Sequence, residues 1–160
     1  MRRILVTGMS GTGKSAALAE LGKRGFRVVD TDSPEWSEWF HDADGGRGEW
    51  LWREDRMAEL LASPGERTLY VSGCMSNQGK FYDLFDAVVL LSAPAEVILD
   101  RVESRTTNDW GKGLGERDLI LIDLETVEPR LRATYTHELD ASSPLGDVVD
   151  ALAAMGRVLD

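Results

Sequence analysis

Cysteine is almost missing from this chain: Cys74 is the only one in 160 residues. No disulfide can form within the chain, which fits a reducing compartment, and a lone thiol is expected as a small buried hydrophobe. Long apolar runs are missing too. Nothing approaches the roughly 20 residues of a membrane helix, and the N-terminal run Ile4-Leu5-Val6 is too short for the apolar stretch of a signal peptide. A cytoplasmic protein with no membrane partner is expected. Positive charge is in deficit, with 18 basic against 28 acidic residues and a net charge of -10. Such a surface repels a phosphate backbone, so nucleic acid is excluded as the main partner, and any anionic ligand must be gripped locally. The two histidines, His41 and His137, show no metal-ligand spacing. What remains is 42% hydrophobic and 29% charged, an ordinary globular balance in a length that suits one domain over 1–160.

Residues 3–7 are a short apolar run entering a glycine-rich turn, which reads as a buried parallel strand, and Ala17, Leu18 and Leu21 give 14–24 helical spacing with Gly25 as a stop. A second strand, 26–29, ends at Asp30-Thr31-Asp32, and Pro34 beyond it suits the first residue of a helix. The tryptophan-rich stretch 35–48 is expected as a short helix and a mobile loop, followed by a helix from about Glu49 to Ala62. Strands are expected at 68–72 and 87–91, a helix at 94–105, and a further helix after 115 that Pro129 breaks or restarts. A fifth strand over 135–139 and a last helix over 145–155 complete the chain. Alternating strands and helices imply an α/β fold, a parallel and five-stranded sheet covered on both faces, with ligands at the carboxyl ends of its strands.

At the end of the first strand stands Gly8-Met9-Ser10-Gly11-Thr12-Gly13-Lys14-Ser15. Glycine, four residues, glycine, lysine and serine is the spacing of a phosphate loop. Its glycines let the backbone turn so tightly that amide N–H groups converge on phosphate oxygens, and the helix beginning there adds its positive end. The strand before and the helix after are the context this mechanism requires. Gly8, Ser10, Gly11, Thr12, Gly13, Lys14 and Ser15 are therefore the expected ATP-binding residues, Lys14 bridging the β- and γ-phosphates and Ser15 ligating Mg2+.

With this loop, Asp30-Thr31-Asp32 and the segment 67–105 in view, most of the chain resembles the compact P-loop kinases, the group of shikimate kinase, gluconate kinase and the nucleoside-monophosphate kinases. The resemblance implies a three-layer P-loop fold with a short lid, ATP as phosphoryl donor, Mg2+ and a small-molecule acceptor. The acidic pair resembles the aspartate-x-aspartate of shikimate kinase, which implies Asp30 beside the metal and Asp32 beside the acceptor hydroxyl. Gly73 matches the glycine turn after the third strand. Arg53 resembles the acceptor-binding arginine of shikimate kinases, and Arg56 follows almost one turn on. The glycine triplet of that family is here Gly73-Cys74-Met75, which argues against shikimate itself. The acceptor region is expected at about 33–62 and the lid at about 105–116.

A lid excludes water that would otherwise take the phosphoryl group. Arg105 and Arg101 are the expected catalytic arginines, neutralising charge on the transferring group, with Lys112, Arg130 and Arg132 as secondary candidates. Trp36, Trp39, Trp50 and Trp52 flank the acceptor region, either stacking on an acceptor or packing in the core. Three functions stay open. Asp30 and Asp32 favour a kinase with a hydroxyl acceptor, because an alcohol needs an oriented oxygen. Arg47, Arg53 and Arg56 keep a nucleoside-monophosphate kinase in play, and the loop alone also suits a nucleotide-binding ATPase switch.

Overall fold

The computed structural model describes residues 1–46, 48–106 and 109–157. At its centre runs β1 (Arg3–Thr7), whose residues Ile4, Leu5 and Val6 are fully buried. Helix α1 (Lys14–Lys23) leads to β2 (Arg27–Asp30). A hairpin of β3 (Ser37–Phe40) and β4 (Glu49–Trp52) precedes α2 (Glu54–Ala62) and β5 (Leu69–Ser72). A 3-10 helix (Gln78–Leu84) comes before β6 (Ala87–Ser92) and α3 (Ala95–Ser104). Helices α4 (Glu116–Thr126) and α5 (Glu128–Arg132), β7 (His137–Asp140) and α6 (Leu145–Gly156) follow.

The five strands of the main sheet are parallel and ordered β2-β5-β1-β6-β7. Period-two alternation splits their side chains between two cores. Ile4, Val6, Tyr70, Val89 and Leu91 face α1 and α6, while Leu5, Leu69, Val71 and Val88 face α2, Trp52 and Phe81. Leu90 joins Met9, Ile98, Val102 and Ile120 in a third cluster under α3 and α4. Helices therefore cover both faces, giving the expected three layers. The chain moves outward from β1 to β2, then returns through β5 and crosses β1 to reach β6. The loops after β1, β2 and β5 thus open on one crevice at the carboxyl edge.

The stretch after β2 departs from expectation. Pro34 lies in a turn rather than opening a helix, with Ser33 O accepting from the amides of Trp36 and Ser37 at 3.1 and 2.9 Å. Residues 37–40 and 49–52 pair antiparallel, setting Ser37 opposite Trp52 and Trp39 opposite Trp50, so α2 starts at Glu54 and not at 49. Aromatic residues favour the pleated, half-buried surface of a hairpin. Trp52 anchors it: fully buried, it exchanges backbone bonds with the Asn77 amide at 3.1 Å each way and donates its indole N–H to Thr31 Oγ1 at 2.8 Å.

Candidate active site

The phosphate loop follows β1 directly. Gly8, Gly11 and Gly13 have φ of 148°, 83° and 88°, values that side-chain-bearing residues rarely adopt. Space is equally strict, since a Cβ on Gly8 would meet Leu91 O at 2.4 Å and one on Gly11 would meet Val102 Cγ2 at 2.9 Å. The loop is thereby pressed onto β6 and α3. Lys14 opens α1 and curls back over the loop, donating from Nζ to Gly8 O at 2.7 Å and Met9 O at 2.9 Å. Burial pushes its ammonium below the ordinary lysine range; Cys74, Asp30 and Asp32 oppose that shift and Arg105 adds to it.

Asp30 ends β2 beside the start of α1, where Ser15 Oγ donates to its Oδ2 at 2.6 Å. Its Oδ1 accepts the Asp32 amide at 3.1 Å, and Asp32 Oδ1 in turn accepts the Trp50 indole N–H at 3.1 Å. Thr31 points the opposite way and donates to Ser72 O at 2.6 Å. The alternation of the strand end thus aims both carboxylates outward while Thr31 locks β2 to β5. Among the described residues no cluster of three His, Cys, Asp or Glu forms a metal cage. Ser15 and Asp30 instead supply two adjacent hard oxygens, a donor set that fits a magnesium ion keeping phosphate and water ligands.

From the far side comes Arg105, the residue that ends α3. It donates to Ser10 Oγ at 3.4 Å and to Trp110 O at 2.5 Å, and so lies across the phosphate loop. Burial draws its pKa down from the ordinary arginine value, opposed by Asp32. Glu116 Oε2 accepts the amides of Gly111 and Gly113 at 2.9 and 2.8 Å, tying the segment expected as a lid to α4. Thr107 and Asn108, within the expected lid, lie outside the described residues.

These groups line one cleft of about 900 Å³: Ser10, Gly11, Gly13, Lys14 and Ser15 from the loop, Asp30 at the end of β2 with Asp32 just beyond it, Gly73 just after β5, and Arg101 and Arg105 from the lid side. Gly8 and Thr12 stand behind it. Thr12 is buried and bonded to Met9 O through its hydroxyl at 2.8 Å, and it lines instead a smaller cavity of about 220 Å³ with Gly13, Arg101, Ala141 and Leu145.

Two expected acceptor residues are not brought to the cleft. Arg53 precedes α2 and spends its guanidinium on Glu38 at 2.6 Å and Pro34 O at 3.0 Å, while Arg56 donates to Glu35 O at 2.9 Å. Both brace the turn and hairpin. Arg47 lies outside the described residues. Lys112 turns to the carbonyl of Arg105 and to Asp109, and Arg132 pairs with Glu128 and Glu138.

Sequence reasoning missed other cleft residues. Cys74 is half-buried on the wall beside Met75, with Gln78 holding that turn by accepting the Met75 amide at 3.0 Å and donating to Thr7 Oγ1 at 3.0 Å. Ile120 and Asp123, one turn apart on α4, close the lid side, and burial pushes the Asp123 carboxyl up. Helical spacing after Gly115 was the available signal, but only the fold shows which face meets the cleft.

A phosphate loop at the carboxyl edge of a five-stranded parallel sheet, with an arginine-bearing segment across it, defines the fold of the compact P-loop kinases. Residues 4–120 match the family described as AAA domain, and the chain belongs to it. Shikimate kinase from Acinetobacter baumannii is similar in structure, with a TM-score of 0.66 at 16% identity over 97% of this chain and 92% of that one. A gluconokinase from Sinorhizobium meliloti 1021 has a TM-score of 0.62 at 24% identity over 97% and 93%. Deoxyadenosine kinase from M. mycoides reaches 0.63 at 12% identity over 97% and 98%. No curated protein sequence matches the chain. Among the described residues no helix is long and apolar enough to cross a membrane.

Proposed function

We propose that this protein is an ATP-dependent phosphotransferase that moves the γ-phosphoryl group to a hydroxyl of a small molecule. The observation that carries the reading is the single cleft holding the phosphate loop, the Asp30 and Asp32 carboxylates and the lid arginines. ATP would set its phosphates against the loop amides and Lys14, with its base directed to the smaller cavity that Arg101 shares with the cleft. Ser15 and Asp30 would hold Mg2+, which would supply charge neutralisation to the phosphates of ATP. Asp32 would orient the acceptor hydroxyl for in-line attack. A bond forms from the acceptor oxygen to the γ-phosphorus while the bond to the bridging oxygen breaks. The electron pair leaves with ADP, and the acceptor proton passes to Asp32. Lys14 and Arg105 meet the charge that develops on the transferring group.

A hydroxyl acceptor is favoured over a monophosphate because Arg53 and Arg56, the groups suited to clamp a phosphate, are engaged at the hairpin. The similarity to shikimate kinase, gluconokinase and deoxyadenosine kinase structures supports the same class of chemistry. The test is ADP release with Mg-ATP and pools of alcohols or nucleoside monophosphates. Alcohol-dependent release is expected, and release indifferent to any acceptor would favour an ATPase.

A further inference from the structure

The hairpin brings two indoles to the acceptor end of the cleft. Trp39 and Trp50 are cross-strand partners with ring centroids 5.5 Å apart and planes tilted by 56°, and both line the cleft wall. Trp39 is 61% exposed although it belongs to a strand. Leaving an indole face in water forgoes the stabilisation that apolar burial would give, while an indole remains well suited to stacking on a flat ring. The Trp50 indole N–H holds Asp32 Oδ1, and Asp32 Oδ2 accepts no hydrogen bond from the described residues. An aromatic wall therefore stands against an oriented carboxylate oxygen.

Charge adds a second constraint. Trp50 is bonded to Asp32, and Asp30, whose Oδ1 accepts the Asp32 amide, lines the same cleft, so two carboxylates stand together there. Among the described residues the cations lining the cleft are Lys14, Arg101 and Arg105, of the phosphate loop and the lid side, where the phosphates of a nucleotide would occupy them. A carboxylate or phosphate of the acceptor set against Asp32 would make a like-charge contact, which disfavours it.

Building on the proposed phosphotransferase activity, we propose that the acceptor is an uncharged or cationic compound with a flat aromatic ring and an aliphatic hydroxyl, stacked on Trp39 and Trp50 with the hydroxyl at Asp32. Sugar acids and nucleoside monophosphates are poor acceptors. Nucleosides and other aryl-bearing alcohols share the required chemistry, and separate pools distinguish them.

The experiment measures ADP release by the full chain with Mg-ATP and four pools: nucleosides, neutral or cationic aryl-bearing alcohols, sugar acids, and nucleoside monophosphates. Stimulation by either of the first two is expected. With the best compound, Trp39→Ala should raise acceptor KM roughly tenfold, the loss of one stacking contact, with kcat changed less than about threefold, and Trp39→Phe should recover most of the affinity. A melting temperature within about 3 °C of the parent's would show that the exposed substitution leaves the fold intact. Stimulation only by sugar acids or monophosphates, or an unchanged KM in Trp39→Ala, would overturn the acceptor class while leaving phosphotransfer standing. No stimulation by any pool would overturn the phosphotransferase reading and this inference together.

Discussion

At the scale of single residues, Lys14, Asp32 and Arg105 divide the proposed chemistry between them. Lys14 is held against the loop by two carbonyls, so its removal deletes charge without disturbing the core. Lys14→Ala should lower kcat by at least about a thousandfold, as expected when a phosphate-clamping cation is lost, with an unchanged circular dichroism spectrum as the control. Asp32→Asn keeps the size of the side chain but removes the proton acceptor, a loss on the order of a hundredfold or more in kcat. Steady-state kinetics should find the KM for ATP within a factor of a few, and a selective loss of ATP binding would move Asp32 to the metal. Arg105→Ala should depress kcat more than nucleotide affinity, because a lid cation acts chiefly on the transition state. Equal losses in both would indicate a ground-state contact. That the loop, Asp30 and Asp32 share one cleft was legible because the glycine-lysine-serine spacing follows the first strand and the two carboxylates close the second. Arg53 and Arg56 were not, since an arginine beside an acceptor region serves as readily to brace a hairpin, as the Glu38 and Glu35 contacts do here.

At the scale of elements, the alternation of strands and helices was readable from apolar period, and β1, α1, β5 and β6 fall within one or two residues of expectation. The hairpin was missed because a tryptophan-rich stretch carries no decisive period, and its pairing is completed by Thr31 just before it and by Asn77 beyond α2 and β5. That dependence makes Gly73 a sensitive point. A Cβ there would lie 2.3 Å from Thr31 Oγ1 and 3.1 Å from Trp52 Nε1, so Gly73→Ala must push the hairpin stem away from β5. Urea denaturation should find it less stable by about 1–3 kcal/mol, the usual cost of overpacking. Unchanged stability would mean that the stem is not anchored as described.

At the scale of the whole molecule, the last helix is tied to the sheet through Tyr70, which is fully buried and donates its hydroxyl to Leu152 O at 2.5 Å. Burial raises its pKa to about 12 from 10.0. Deprotonation is therefore easier in the unfolded chain, so this contribution is complete below pH 10 and is lost as pH rises through about 12. Between those limits the parent should lose more stability than Tyr70→Phe, by up to about 2–3 kcal/mol. Parallel denaturation curves would contradict the burial of that hydroxyl. The same sheet that buries Tyr70 sets the loop, the carboxylates and the Arg105 segment at one edge, where phosphoryl transfer is proposed. The direct measurement is phosphorus NMR of the protein with Mg-ATP and an aryl-bearing alcohol. A phosphomonoester resonance is expected to grow one for one with ADP and to be absent with Lys14→Ala. Inorganic phosphate as the only product beside ADP would contradict it.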